Sequence, residues 1–364
     1  MLNPYDKCVA NKMINGKQCT ISWYVDDNKL SHIETTVVDQ ILGVIKKHFG
    51  ELTTSRGNEH SFLGMNIKFD KEKQTVAINM KGQLQEAIDL YPDKIPDRVV
   101  SPASKHLFDV NDDAEQLEME RSKVFHSIVM KLMYIMKRTR PDLEPTIAFL
   151  STRVTKSDVD DWKKLGCVLS YIKCTINDDR IIGATSLEEL WNWIDSSHAV
   201  HQNMRGQTGG AMSLGVGTLH CRSTKQRINS RSSTETEVIG VSEYLPYNVW
   251  LLLFLKAQGY DLMSNVLFQD NQSTIRIERN GRNSCTGNSR HIDVRYFWVK
   301  DVVDRKEIKI EYCPTKQMLA DYFTKPLNGR LFKYFRDIIM GYIPIRELIE
   351  KTRSKMKERV ENND

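Results

Sequence analysis

The order of hydrophobic patterns after residue 187 is what most restricts the fold of this chain. "EELWNWID" reads as a strand ending in Asp195, and "TGGAMSLG" and "TLHCRST" read as two further strands with a Gly-rich turn between them. "SSTETEVIGVSEYL" opens on Ser and Thr caps and continues at helical spacing. A strand follows, "LMSNVLFQD", ending in Asp270; then a helix, "HIDVRYFWVKDVVD", a strand, "EIKIEYC", and a final helix, "KQMLADYFTK". Three strands, helix, strand, helix, strand and helix is the layer pattern of an α/β (α+β) fold.

Four acidic residues stand at telling places in that order. Asp195 and Asp270 each end a strand, where open sheets collect ligand-binding groups. Glu237 lies one turn into the capped helix and Asp321 lies in the last helix. Alone, an Asp at a strand end forms turns and a Glu in a first helical turn pairs with the helix dipole. Together, four carboxylates would balance two divalent cations roughly 3.5–4 Å apart, a pair that activates water and steadies a leaving phosphodiester oxygen. Oxygen donors suit Mg2+, with Mn2+ as the alternative.

The front of the chain carries a second acidic pair. "TISWYVDDNKL" places Asp26 and Asp27 between two short strands, either as a hairpin turn or as paired metal ligands. Residues 33–49 have helical spacing and stop at Gly50; "HSFLGMNIKFD" and "QTVAINM" alternate as a second hairpin, and "GQLQEAIDLY" is a short helix. Residues 93–120, polar and acidic with Pro96 and Pro102, read as a linker, and 121–176 as amphipathic helices.

In sequence order, "SSTETE", "FQDNQS", "SRHIDVRYF" and "LADYFTKPL" resemble the ribonuclease H domain of Ty1/copia-type retrotransposon polyproteins. "YVDD", "FLGMNIKF", "FHSIVMKLMYIMKRTRPDL" and "VLSYIKCT" resemble the reverse transcriptase part that precedes it, so the resemblance covers nearly the whole chain. It implies a truncated reverse transcriptase palm over 1–100 and a linker with connecting helices over 101–180. It further implies a ribonuclease H-like mixed five-stranded sheet flanked by helices over 187–327, and an amphipathic, charged tail over 328–364.

The resemblance implies roles as well. Asp195, Glu237, Asp270 and Asp321 match the four nuclease carboxylates, and Asp26 and Asp27 the paired palm carboxylates. Glu237 is preferred to Glu235, because the small and apolar face "VIGVSE" follows it; Glu235 is then exposed near the cap. The family's Ala and Tyr around that Glu are Thr236 and Val238 here, read as packing changes. Asp6 is the only acidic residue before Asp26, so the palm site lacks a third carboxylate and DNA synthesis by the chain as it stands is not expected. The implied activity is Mg2+-dependent hydrolysis of RNA in an RNA–DNA hybrid. Other readings are the end of an active reverse transcriptase in a longer chain, or a degenerate remnant without activity.

A hybrid duplex would be held through its phosphates. Arg222, Lys225, Arg227 and Arg231 in "HCRSTKQRINSR" offer such contacts, as do Arg290 and His291 in a second basic loop; a solvated loop is the plainer account of each. The net charge of +5 does not by itself imply nucleic-acid binding. His198 and His201 lack a ligand-spaced partner and read as loop residues. Seven cysteines without a CxxC support neither a disulfide framework nor a zinc site. "MLNPYDKCVA" has no apolar core, and "VWLLLFL" is far too short to span a bilayer, so the expectation is an intracellular protein, cytoplasmic or nuclear, with no membrane partner.

Overall fold

The structure, a computed structural model, describes residues 1–281 and 293–361. It opens on a four-stranded antiparallel sheet of β1 (Leu2–Asn3), β2 (Asp6–Ile14), β3 (Lys17–Tyr24) and β4 (Asp27–Ser31). Helix α1 (Thr35–Phe49) ends at Gly50, whose φ of 89° suits a residue without a side chain. Its apolar stripe is hardly used, since Val37 alone is buried.

Next come β5 (Glu59–Phe62), β6 (Met65–Asp70), β7 (Thr75–Asn79) and α2 (Lys81–Asp89), then α3 (Met119–Arg138), α4 (Glu144–Ser151), α5 (Val159–Cys174) and β8 (Arg180–Ala184). Asp158 and Asp161 close a capping box at the start of α5. Strand β8 pairs with β7, so residues from both sides of the helical region share one sheet. The stretch read as a linker packs inward, with Leu107 and Phe108 buried in the helical core.

The second half contains β9 (Glu189–Ser197), β10 (Gln207–Ser213), β11 (Gly215–Val216), β12 (His220–Lys225), α6 (Ser233–Ala257) and β13 (Ser264–Gln269). After them come α7 (Gln272–Asn280), α8 (Asp293–Asp304), β14 (Lys309–Tyr312), α9 (Asp321–Thr324), α10 (Gly329–Ile339) and α11 (Ile345–Glu361). The expected mixed five-stranded sheet is present in the order β12-β10-β9-β13-β14. Its central strand β9 runs antiparallel to β10 and parallel to β13. On one face Leu190, Ile194, Met212 and Leu267 pack with α6 and α8. On the other, Trp191, Trp193, Val266 and Phe268 pack with the helical region and with Phe335, Ile338 and Leu348 of α10 and α11. The segment read as a charged tail is thus two core helices. Two further readings change: α7 was not expected, and the final helix of the sheet domain is the single turn α9.

Helix α6 has the length and composition to cross a membrane, and "VWLLLFL" is its last stretch rather than an isolated run. Its first half is buried from Glu235 to Val241. The front sheet docks on its far end: Asn3 Nδ2 donates to Phe254 O (3.2 Å), and Trp250 Nε1 to Tyr5 O (3.1 Å). A helix apolar on all sides is one buried by its own fold on several sides.

The word "TRPD" folds into a buried ionic hub. Arg140 grips Asp142 with two donors, Nε to Oδ1 and Nη2 to Oδ2, each at 2.8 Å. Tyr171 Oη donates to Asp142 Oδ2 (2.9 Å), and Tyr322 Oη, from α9, to Asp142 O (2.9 Å). The helical region is thereby bonded to the element that carries Asp321.

Candidate active site

The acidic residues are brought together by sheet topology. Beyond the C-terminal end of β9, its neighbours run in opposite senses, which opens a crevice between strand ends. Asp195 lies near the end of β9, and Asp270 directly follows β13, the adjacent parallel strand. Ser232 caps α6 by accepting from the Glu235 N–H (3.2 Å), and the first turns of that helix bring Glu237 to the same crevice. Asp195, Glu237 and Asp270 each offer a carboxylate oxygen within 4.8 Å of the others. They line an open pocket of about 440 Å³ with His198, Asn271 and Lys325.

Asp321, expected as a fourth member, is not one of the three converging carboxylates; it lies beside them, linked through Lys325, because β10 carries a glycine opposite Asp195. Gly209 pairs with Asp195, and a Cβ there would lie 2.7–2.9 Å from Thr324, Ala320 and Phe323. Without that side chain α9 lies against the sheet. Thr324 Oγ1 donates to Asp195 Oδ2. Lys325 Nζ sits 2.6 Å from Asp321 Oδ1 and 3.6 Å from Asp195 Oδ2. Thr315 Oγ1 donates to Asp270 Oδ2 (3.0 Å).

The electrostatics are those of anions crowded out of water. Burial, then the charges of Asp195 and Asp270, push the Glu237 carboxyl well above the usual range, partly offset by the Ser196 N–H and Gln269. Burial and Asp195 raise Asp270. Burial and Asp195 push Asp321 up to about 7, against the pull of Lys325. Glu237 Oε2 is buried without a hydrogen-bond partner. An orphaned carboxylate oxygen facing two further carboxylates fits a divalent cation, and hard oxygen donors fit Mg2+ or Mn2+.

A pH effect follows. Between about 4, where an unfolded Asp ionises, and about 7, the folded metal-free protein holds protons that the unfolded chain has released. Stability from this source is present below that window and lost as pH rises through it. Thermal unfolding in EDTA is expected at a lower temperature at pH 8 than at pH 5, with Asp321→Asn flattening the difference. An equal slope in both proteins would show that Asp321 does not carry it.

Several expected site residues are placed differently. Glu235 is buried, not exposed; its Oε2 accepts from the Arg231 N–H (2.8 Å), which ties it to the helix entry. The Thr236 hydroxyl does more than pack, donating to Ser232 O (2.9 Å) and bonding His198 Nδ1 (2.8 Å). That bond holds His198 at the pocket, a residue the sequence pattern gave no reason to choose. Lys325, inside the quoted word "LADYFTKPL", was likewise not singled out. Arg222 and Lys225 belong to β12 and alternate to opposite faces. Arg222 bonds Tyr247 Oη and stacks over its ring, whereas Lys225 lines a separate cavity with Phe149 and His201. Arg227 and Arg231 are exposed on the loop into α6, beside Ser230, which bonds His198 (3.1 Å). Arg290 and His291 lie outside the described residues.

Asp26 sits with Val25 on an exposed two-residue turn and Asp27 opens β4 as the partner of Tyr24, both carboxylates being exposed. Val25 adopts a φ of 52°, a conformation costly for a β-branched residue. Among the described residues the one group of three converging ligands is Asp195, Glu237 and Asp270. Replacing Asp26 and Asp27 with Asn is expected to move stability by no more than about 0.5 kcal/mol, as surface changes do. Denaturant titration checks this, and a severe loss of stability would show that the exposed pair has a structural role.

A carboxylate cluster at the switch point of a mixed sheet, with donors that could hold a metal ion, defines the site's class. No protein-family model matches the chain. It is similar to the retrovirus-related Pol polyprotein from transposon TNT 1-94 of Nicotiana tabacum, 24% identical over 340 residues. It is also similar to the Gag-Pol polyproteins of transposons Ty1-NL2 and Ty1-JR1 of Saccharomyces cerevisiae, 22% and 23% identical over 346 and 348 residues. These matches cover 92% and 88% of the chain, but only 25% and 19% of those proteins. The chain is a relative of retrotransposon Pol polyproteins along nearly its whole length, as its motifs indicated.

Proposed function

We propose that this chain carries a Mg2+-dependent ribonuclease H-type activity that hydrolyses the RNA strand of RNA–DNA hybrids inside the cell. The observation that carries the reading is the convergence of Asp195, Glu237 and Asp270 within 4.8 Å, with Asp321 tied to Asp195 through Lys325. Asp195, Glu237 and Asp270 would hold the metal. When bound, it would supply charge stabilisation at a phosphodiester and a more acidic water.

The chain's own groups account for the rest. Thr324 and Thr315 fix the Asp195 and Asp270 carboxylates. Arg227 and Arg231, exposed beside His198, would hold backbone phosphates of the duplex. In the hydrolysis, a water oxygen bonds to phosphorus, the bond from phosphorus to the leaving ribose oxygen breaks, and that oxygen takes up a proton. Loop cations would add to the salt dependence of binding, about 0.7–0.9 in log–log slope per phosphate neutralised. Arg227→Ala with Arg231→Ala is therefore expected to lower that slope by about 1.4–1.8 while the fold stays intact. Hybrid-binding titrations over a salt series test it; an unchanged slope would remove both cations from the interface.

A further inference from the structure

The turn that delivers Asp321 also delivers a cation into the acidic pocket. Lys325 directly follows that turn, where the backbone leaves the helix for an extended conformation. Its ammonium lies 2.6 Å from Asp321 Oδ1 and 3.6 Å from Asp195 Oδ2, and it lines the same pocket as Glu237 and Asp270. The neighbouring Thr324 hydroxyl holds the same Asp195 oxygen. Asp195 is thus shared between the three-carboxylate group and the ammonium, whereas Glu237 Oε2 has no partner. The cluster has a cation on its Asp195 side and, among the described residues, none beside Glu237 Oε2.

We infer that Lys325 is a built-in counter-ion that competes with a divalent cation for Asp195 and Asp321, and so sets the metal affinity of the pocket. The inference rests on the reading of the cluster as a divalent-cation site. An ammonium suits the part: it is a compact point charge on a flexible stem, with no fork locking it to one carboxylate. Lys325 is about 41% exposed at its side chain while Asp195 and Asp321 are nearly closed off, so the ammonium has the open pocket to withdraw into. Like charges near a cation site also lower its occupancy directly.

The test needs no nucleic acid. Mg2+ binding to the full chain is measured by calorimetry for wild type and Lys325→Met. The variant is expected to bind at least tenfold more tightly, equivalent to about 1.4 kcal/mol. Unchanged or weaker binding by a folded variant overturns the inference, because a lysine that merely braces Asp321 would loosen the site when lost. A second readout covers a variant that fails to fold: the 13Cε signal of Lys325 in wild type, assigned with Lys325→Arg. That signal is expected to move in step with Mg2+ binding, and a signal that stays put at saturation overturns the inference. Absence of Mg2+ binding in every form would instead overturn the divalent-site reading beneath it.

Discussion

Asp270→Asn is expected to reduce Mg2+-dependent hybrid cleavage to background while leaving the fold intact. Among the described residues Asp270 is one of the three whose carboxylate oxygens converge within 4.8 Å, and its Oδ2 is oriented by Thr315. Asn keeps the shape and one acceptor oxygen but removes the charge that balances the metal. Metal-borne charge stabilisation is worth several kcal/mol, so a loss of about a thousandfold or more is expected. Stability should not fall, since burial and Asp195 already make the Asp270 anion unfavourable without metal. Cleavage rates set beside thermal unfolding decide the matter. A folded Asp270→Asn protein with wild-type cleavage would take this residue out of the site.

The largest effect on stability is expected outside the carboxylate cluster, at Asp142. Arg140 and Asp142 are both almost wholly buried and joined by two hydrogen bonds. Burial, the largest single influence, opposes charge on both, but the partner's charge and hydrogen bonds together with neighbouring groups outweigh it, raising the Arg140 pKa and lowering that of Asp142. Asp142→Ala strands the guanidinium in the core and frees Tyr171 Oη. Breaking one partner of such a pair costs about 3–5 kcal/mol, a large part of the roughly 5–15 kcal/mol that holds a domain together. Replacing both, as Arg140→Met with Asp142→Leu, should recover much of the loss, because no charge is then left unpaired. Denaturant titration of the two variants checks the argument. Equal destabilisation in both would mean that packing, not the stranded charge, sets the cost.

The legible and hidden parts of the molecule differ for physical reasons. Strands β9 and β13 and the start of α6 are set by local signals, namely alternation, terminal Asp residues and a Ser cap, so Asp195, Glu237 and Asp270 could be placed from sequence. Asp321 was found by its word, but its setting was not. The word reads as a full helix, whereas Pro326 and the close packing allowed by Gly209 leave a single turn. Helix α7 was missed because its polar face dominates and only Thr274, Ile275 and Glu278 are buried. The C-terminal segment looked like a charged tail because α11 is charged on its outer side; its Ile345, Leu348 and Ile349 are buried. His198 could not be found by spacing, since it joins the site through Ser230 and Thr236, distant in sequence, whereas Lys325 stands at i, i+4 from Asp321, a spacing that could have pointed to it. Arg222 carried the right charge for phosphate contact, but a tyrosine one layer away, Tyr247, claims it.

The most direct test is a strand-resolved cleavage assay with purified protein on an RNA–DNA hybrid labelled on each strand, with Mg2+ or EDTA. The expected result is cutting of the RNA strand alone, dependent on Mg2+, replaceable by Mn2+, and lost in Asp195→Asn. An intact RNA strand after incubation with folded wild-type protein and saturating magnesium would contradict the account, as would cutting that survives EDTA or Asp195→Asn.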